Sequence, residues 1–487
     1  MNKKQRVSFK ILLGIDNGFY NVGDKLPSLR DIADNEGVSI YTALNAFNEL
    51  VSQGVIENRP KVGYFVPPIS NRELEARLKE YEDAIPVRQK AKCDYDEQIY
   101  EQYVADMRRH RMGDYFKLPK EANEDISEDF FGNVVSYAAQ RTVRNTPAAK
   151  SWQFFKETRE KLTSQIARWM REYKCLFRKD HIITLSHAVE AVMYAVRACY
   201  TPGKILGIES PGHASFLFCA KFMTLEYREI RSNPDTGLSV DDLVEKINGG
   251  AEFFAILLSG CNSVPTGATM PEENKMRLIE VCKKNNITII EYDSFGRLNF
   301  SEHRSNPIKS LEHENVIYVS SFSKIFGEGL PMGFIEGGKF AESVLFLKSL
   351  SGVRFPTNEQ LALSMHLVNE GIVEHIDKLS KEVSAAVTLF KATLQEIIPK
   401  SIRVRSFPGG PCLWIELPRG MDSNDFHSFA AESNIFVATG ELFSSFSEIK
   451  SCFMVNCCAT KNSERIAVNA KALGEAIIEY LRTHSAQ

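Results

Sequence analysis

No run of the 487 residues is both apolar enough and long enough to cross a bilayer. The basic residues Lys3, Lys4 and Arg6 are not followed by the apolar segment of a secretory leader. The expectation is a cytoplasmic protein with no membrane partner. The chain also lacks any C-x-x-C pair. Its 10 cysteines are scattered, and the adjacent Cys457 and Cys458 suit neither a metal nor an easy disulfide. Reduced thiols and no metal site are expected. A third absence is excess positive charge: 59 Lys plus Arg against 62 Asp plus Glu leave a formal net charge of −3. Any surface that attracts nucleic acid must therefore be local.

What is present suits a soluble chain of more than one domain, with 44% hydrophobic and 25% charged residues. Residues 6–18 mix Val7, Phe9, Ile11, Leu12 and Leu13 with polar positions, as a short amphipathic helix does. After turn chemistry at Asn21-Val-Gly-Asp24, Ser28 is placed to cap a second helix, with Asp31 three residues on completing a capping box. Asn35-Glu-Gly37 stops that helix. Ser39 caps a third, whose Ala43, Leu44, Phe47, Leu50 and Val51 recur at helical spacing. Ile40, Tyr41, Thr42 and Asn45 are left on other faces near its start. Val55-Ile56 and Tyr64-Phe-Val66, joined by a turn at Asn58–Gly63, predict a two-stranded wing carrying Arg59 and Lys61.

Leu26-Pro-Ser-Leu-Arg30, Val38-Ser39, Thr42, Phe47-Asn-Glu-Leu50, Gly54-Val-Ile56 and Gly63-Tyr-Phe-Val66 resemble the GntR-family winged helix over residues 6–66. The resemblance implies a DNA-binding domain over residues 1–68 and double-stranded operator DNA as its partner. It places Ser28, Arg30, Ser39, Tyr41, Thr42, Lys61 and Gly63 at the DNA. Tyr41 departs from the small or polar residue common at its position. Pro67-Pro68 closes the domain. Residues 69–126 are rich in charge and predict a partly helical linker, with a helix at 71–82 and a basic cluster at Arg108-Arg-His-Arg111.

From residue 127 short apolar runs at 181–185, 204–208, 253–258, 286–290 and 316–320 alternate with helical stretches such as 155–172, 188–200 and 272–285. That alternation predicts an α/β sheet of parallel strands. Five motifs resemble, in chain order, those of fold-type I pyridoxal-phosphate (PLP) enzymes: Ile182–Ala188, Glu209-Ser-Pro-Gly-His213, Val264–Met270, Glu291–Phe300 and Ser320-Ser-Phe-Ser-Lys324. Gly409–Pro418 and Ala438–Phe443 resemble the small domain of such enzymes, which would begin at about residue 355. Together the two halves resemble the MocR-type subfamily of GntR regulators: a winged helix-turn-helix fused to fold-type I aminotransferase-like large and small domains, 127–487, paired as a homodimer.

By that resemblance Lys324 condenses with the PLP aldehyde, Ser321, Ser323 and Ser186 hold its phosphate, and His213 stacks on its ring. The carboxylate that keeps the pyridine nitrogen protonated has two alignments. Over the whole stretch its position is Tyr292, with Phe295 in place of a phenol; a one-residue shift makes it Asp293. The arginine expected after the lysine is Pro331, the usual glycine at the phosphate helix is His187, and no carboxylate-gripping arginine lies within Phe453–Asn456. These losses predict a regulator with a degenerate PLP pocket, used for sensing and pairing. An active PLP-dependent aminotransferase with an accessory DNA-binding module is the alternative.

Overall fold

The computed structural model describes residues 3–16, 19–68, 151–296, 298–300, 305–326, 332–351, 357–367, 371–460 and 462–484. The charged segment 69–126, with its expected helix and basic cluster, lies outside the described residues, as does Pro331. The chain forms two compact units, Met1–Asp94 and Tyr95–Gln487.

In the first unit three helices, α1 (Lys3–Asp16), α2 (Leu29–Glu36) and α3 (Ile40–Ser52), precede a hairpin of β1 (Glu57–Arg59) and β2 (Gly63–Phe65). The capping box forms as expected: the Ser28 hydroxyl oxygen accepts from Asp31 N–H and the Asp31 carboxylate accepts from Ser28 N–H. Ser39 caps α3 in the same way, accepting from Thr42 N–H at 3.1 Å. Val7, Ile11, Ala43, Phe47 and Leu50 meet in one buried core. The wing begins later than the sequence suggests. Val55 and Ile56 are buried in that core, and both backbone N–H groups point back to the Leu50 carbonyl at the end of α3. Burial of the two side chains removes them from the hairpin, so the ladder starts at Glu57.

The second unit is built on an eight-stranded sheet in the order β3-β10-β9-β8-β7-β4-β5-β6. Its strands are β3 (Ile182–Leu185), β4 (Ile205–Ser210), β5 (Tyr227–Asn233), β6 (Gly237–Leu238), β7 (Phe253–Leu258), β8 (Thr288–Asp293), β9 (Val316–Ser321) and β10 (Gly333–Glu336). The central run β5-β4-β7-β8-β9 is parallel. The expectation of parallel strands fails at β10, which runs antiparallel to both β9 and β3. Only a short stretch of chain around Lys324 separates β9 from β10, too few residues for a full crossover, so the chain must return antiparallel.

Helices α4 (Ser151–Met170), α5 (Ala188–Cys199), α6 (Ala214–Phe222), α7 (Val240–Asn248), α8 (Glu272–Lys284), α9 (Ser323–Phe326) and α10 (Ala341–Ser351) are threaded among these strands. Behind them an antiparallel sheet, β11 (Arg403–Ser406), β12 (Cys412–Glu416), β14 (Cys452–Asn456) and β13 (Ala438–Thr439), carries its own apolar core. Among the described residues no helix is long and apolar enough to cross a membrane. The nine described cysteines are all buried and outside disulfides.

Candidate functional site

In the first unit most of the predicted DNA-facing residues are solvent-exposed. Ser28, Arg30, Ser39, Tyr41 and Lys61 are exposed, while Thr42 and Gly63 are half-buried. Lys61 sits at the wing tip in the left-handed region, φ +65°. Arg59 is held back on the wing itself, where it pairs with Glu57 and lies 4.2 Å over the Phe65 ring.

In the second unit the C-terminal ends of the parallel strands bring the motif residues together, where α/β sheets place ligands. Lys324 lies in the first turn of α9, directly after β9, with its ammonium nitrogen 5.9 Å from the Phe295 ring centroid. Just before it the Ser321 and Ser323 hydroxyls bond each other at 2.7 Å. His213 caps α6: its Nδ1 accepts from Ser215 N–H at 3.2 Å, so the neutral ring carries its proton on Nε2. Burial, with the nearby Lys324 and His187 charges adding to it, pushes the His213 pKa down to about 3. The loop before it needs its glycine, because a Cβ on Gly212 would lie 2.2 Å from the Glu209 carbonyl oxygen.

That low pKa has a sign. His213 in the folded chain titrates below its ordinary value of 6.5, so its neutral form supports folding above that value, and the support is lost as pH falls toward 3. The thermal midpoint of this unit, followed by tryptophan fluorescence, should drop more between pH 6.5 and 3 in the wild type than in His213→Gln. Equal drops would place the ring in water.

The face below His213 decides between the two alignments. Tyr292 lies on it, its ring centroid 4.8 Å from that of His213, and burial pushes its phenol pKa up. Asp293, the next residue, points to the opposite face. There its Oδ2 accepts from Tyr318 O–H at 2.5 Å and its Oδ1 from Gly296 N–H at 2.9 Å. The shifted alignment that put Asp293 beside a pyridine nitrogen is therefore corrected: successive strand residues face opposite ways, and β8 gives the pocket a phenol.

The phosphate end differs as well. Ser186 N–H, an expected phosphate donor, is taken at 2.8 Å by the Glu190 carboxylate from the first turn of α5. Beside Glu190 lies Lys348 of α10, bonded to the Thr184 carbonyl oxygen; burial lowers its pKa to about 8. His187 is exposed and caps α5 through Nδ1. A Cβ on Gly333 would meet the His187 backbone at 2.7 Å, which explains the glycine that follows Pro331 by two. Met454 of β14 is fully buried opposite Trp414, within the Phe453–Asn456 stretch that holds no arginine. Among the described residues no group of three or more His, Cys, Asp or Glu is placed to hold a metal.

The residues thus suit PLP as a ligand at one end and not as an electron sink. An amine, two hydroxyls and a flat neutral ring converge, but the ring nitrogen would meet a phenol and the phosphate a carboxylate. The family model for class I and II aminotransferases matches residues 131–473, and the model for bacterial regulatory proteins of the gntR family matches residues 3–66. The chain is a GntR regulator of the MocR type, its larger part in the class I and II aminotransferase family.

Full-length relatives share this MocR-type order of domains. The HTH-type transcriptional regulator YjiR of Escherichia coli K12, itself uncharacterised, is 26% identical over 98% of this chain and 99% of its own length. The HTH-type transcriptional regulator TauR of Rhodobacter capsulatus is 23% identical over 90% of this chain and 89% of its own. A kynurenine aminotransferase structure from Pyrococcus horikoshii superposes with a TM-score of 0.68 at 20% identity, covering 82% of this chain and 98% of its own, which establishes the fold. Within the MocR-type frame, sequence reasoning missed Glu190 and Lys348. Glu190 had a faint signal, an acid in the first turn of a helix. Lys348, on a distant helix, had none.

Proposed function

We propose that this MocR-type regulator binds an operator in duplex DNA through residues 1–68. Residues 127–487 sense a small molecule and pair two copies in the cytoplasm, and residues 69–126 set the reach between these parts. The observation that supports the sensing half is Tyr292 against His213: its buried phenol is held neutral, and at that position transamination would call for an anion. Lys324 would anchor PLP, with the Ser321 and Ser323 hydroxyls toward its phosphate and His213 against its ring, while the Ser186 N–H stays with Glu190. Bound there, PLP supplies an aldehyde to the Lys324 amine. Amino acids are not turned over.

The DNA half is tested by selecting from genomic fragments with the full chain and measuring affinity against salt. Affinity should fall steeply with salt, because phosphate contacts release counterions. Arg30→Ala should cost about 1–3 kcal/mol of binding. Failure to enrich any sequence would remove the operator from this reading. Pairing is tested by light scattering at micromolar concentration: the expected mass is that of a dimer, and two winged helices then meet two half-sites. A monomer alone would refute it.

A further inference from the structure

Helix α3 is unusual as a DNA reader in its charge. Its residues, IYTALNAFNELVS, include no lysine or arginine. The single acid, Glu49, is turned toward α1, where Lys4 lies 3.2 Å away. The inner face is occupied by Ala43, Ala46, Phe47 and Leu50. On the outer face Ile40 and Tyr41 stand 51% and 71% exposed, in the first turn of a capped helix. Asn45 and the exposed Asn48 continue the stripe one and two turns beyond Tyr41. Positive charge to hold phosphates comes from outside α3, at the exposed Lys25, Arg30 of α2 and Lys61 of the wing.

Guanine offers the major groove two acceptors, which arginine or lysine reads. Adenine offers an acceptor and a donor, which asparagine matches. Thymine offers a methyl group, which apolar side chains cover. A helix with no cation, two large exposed apolar side chains and a half-exposed asparagine matches the second and third patterns and not the first.

We propose that α3 reads A·T base pairs: Ile40 and Tyr41 bury thymine methyl groups, and Asn45 bonds the adenine edge. The proposal rests on the DNA-binding reading above and adds the chemistry of the half-site. The natural probe is deoxyuridine, which pairs like thymine and lacks only the methyl. After selection with the full chain from a random duplex pool, each thymine of one enriched half-site is replaced singly by deoxyuridine, and affinity is measured by fluorescence anisotropy. One or two replacements should weaken the wild type about fourfold each, the effect of one buried methyl. Tyr41→Ala or Ile40→Ala should bind the thymine duplex about fourfold more weakly and then be indifferent to the same replacement. Asn45→Ala should lose its preference at one adenine.

Neutral deoxyuridine throughout, or half-sites whose discriminated positions are G·C, overturns the proposal while leaving a DNA-binding regulator. An undiminished deoxyuridine effect in both alanine variants also overturns it. No enrichment from the pool defeats the regulator reading itself.

Discussion

Phe47→Ala should abolish DNA binding while leaving the large unit untouched. Phe47 is fully buried at the centre of the first unit, and its ring meets Tyr64 edge-on at 4.8 Å. It joins α3, which presents the outer stripe, to β2 of the wing. Truncating a buried phenylalanine costs about 3–5 kcal/mol, from lost transfer energy and the cavity left behind. A unit this small has about that much stability in total. The three tryptophans, Trp152, Trp169 and Trp414, all belong to the large unit, so their fluorescence reports it alone. The expected result is loss of anisotropy change on DNA with an unchanged tryptophan transition. Phe47→Leu, closer in volume, should keep most binding. Full binding by Phe47→Ala would mean that α3 is held by something other than this core.

Lys324→Ala should remove every covalent trace of PLP from the protein. The wild type incubated with PLP should gain an absorbance band, and borohydride should fix the cofactor to one lysine. Lys324 is half-buried directly after β9, its ammonium nitrogen 5.9 Å from the Phe295 ring centroid and near enough to His213 to help lower that ring's pKa. The buried Lys275 and Lys309 are already committed, to Ser305 and Asn306 and to Glu336, His313 and Val316. Peptide mapping of the reduced protein should find the label at Lys324, and none in the variant. DNA affinity without PLP should be equal in both, since Lys324 lies outside the DNA-reading unit. No label in the wild type at saturating PLP would leave the pocket to another ligand. A band that changes on adding common amino acids, with keto-acid product, would restore the aminotransferase reading and overturn the argument from Tyr292.

The reading unit was largely legible in the sequence because its signals are local. Ser28 with Asp31 and Ser39 with Thr42 act over three residues, and the buried stripe of α3 follows from helical spacing. The first wing strand was placed two residues early because Val55 and Ile56 suit a strand and a core equally; only packing against Leu50 and Phe47 settles which. In the large unit the motif order sufficed for the fold. It did not reveal that β10 runs backwards, since strand direction depends on what the chain must reach next.

The sequence by itself determined the two-part architecture, the capped helices, the outward stripe of α3 and the lysine after β9. Each rests on chemistry within a few neighbouring residues. Tertiary structure alone decided what fills the pocket. Tyr292 and Asp293 are adjacent, and a shift of one residue reverses the face each presents, so an alignment cannot separate them and the pleat of β8 can. The same holds at the phosphate end, where Glu190 and Lys348, far apart in the chain, meet only because α5 and α10 pack side by side.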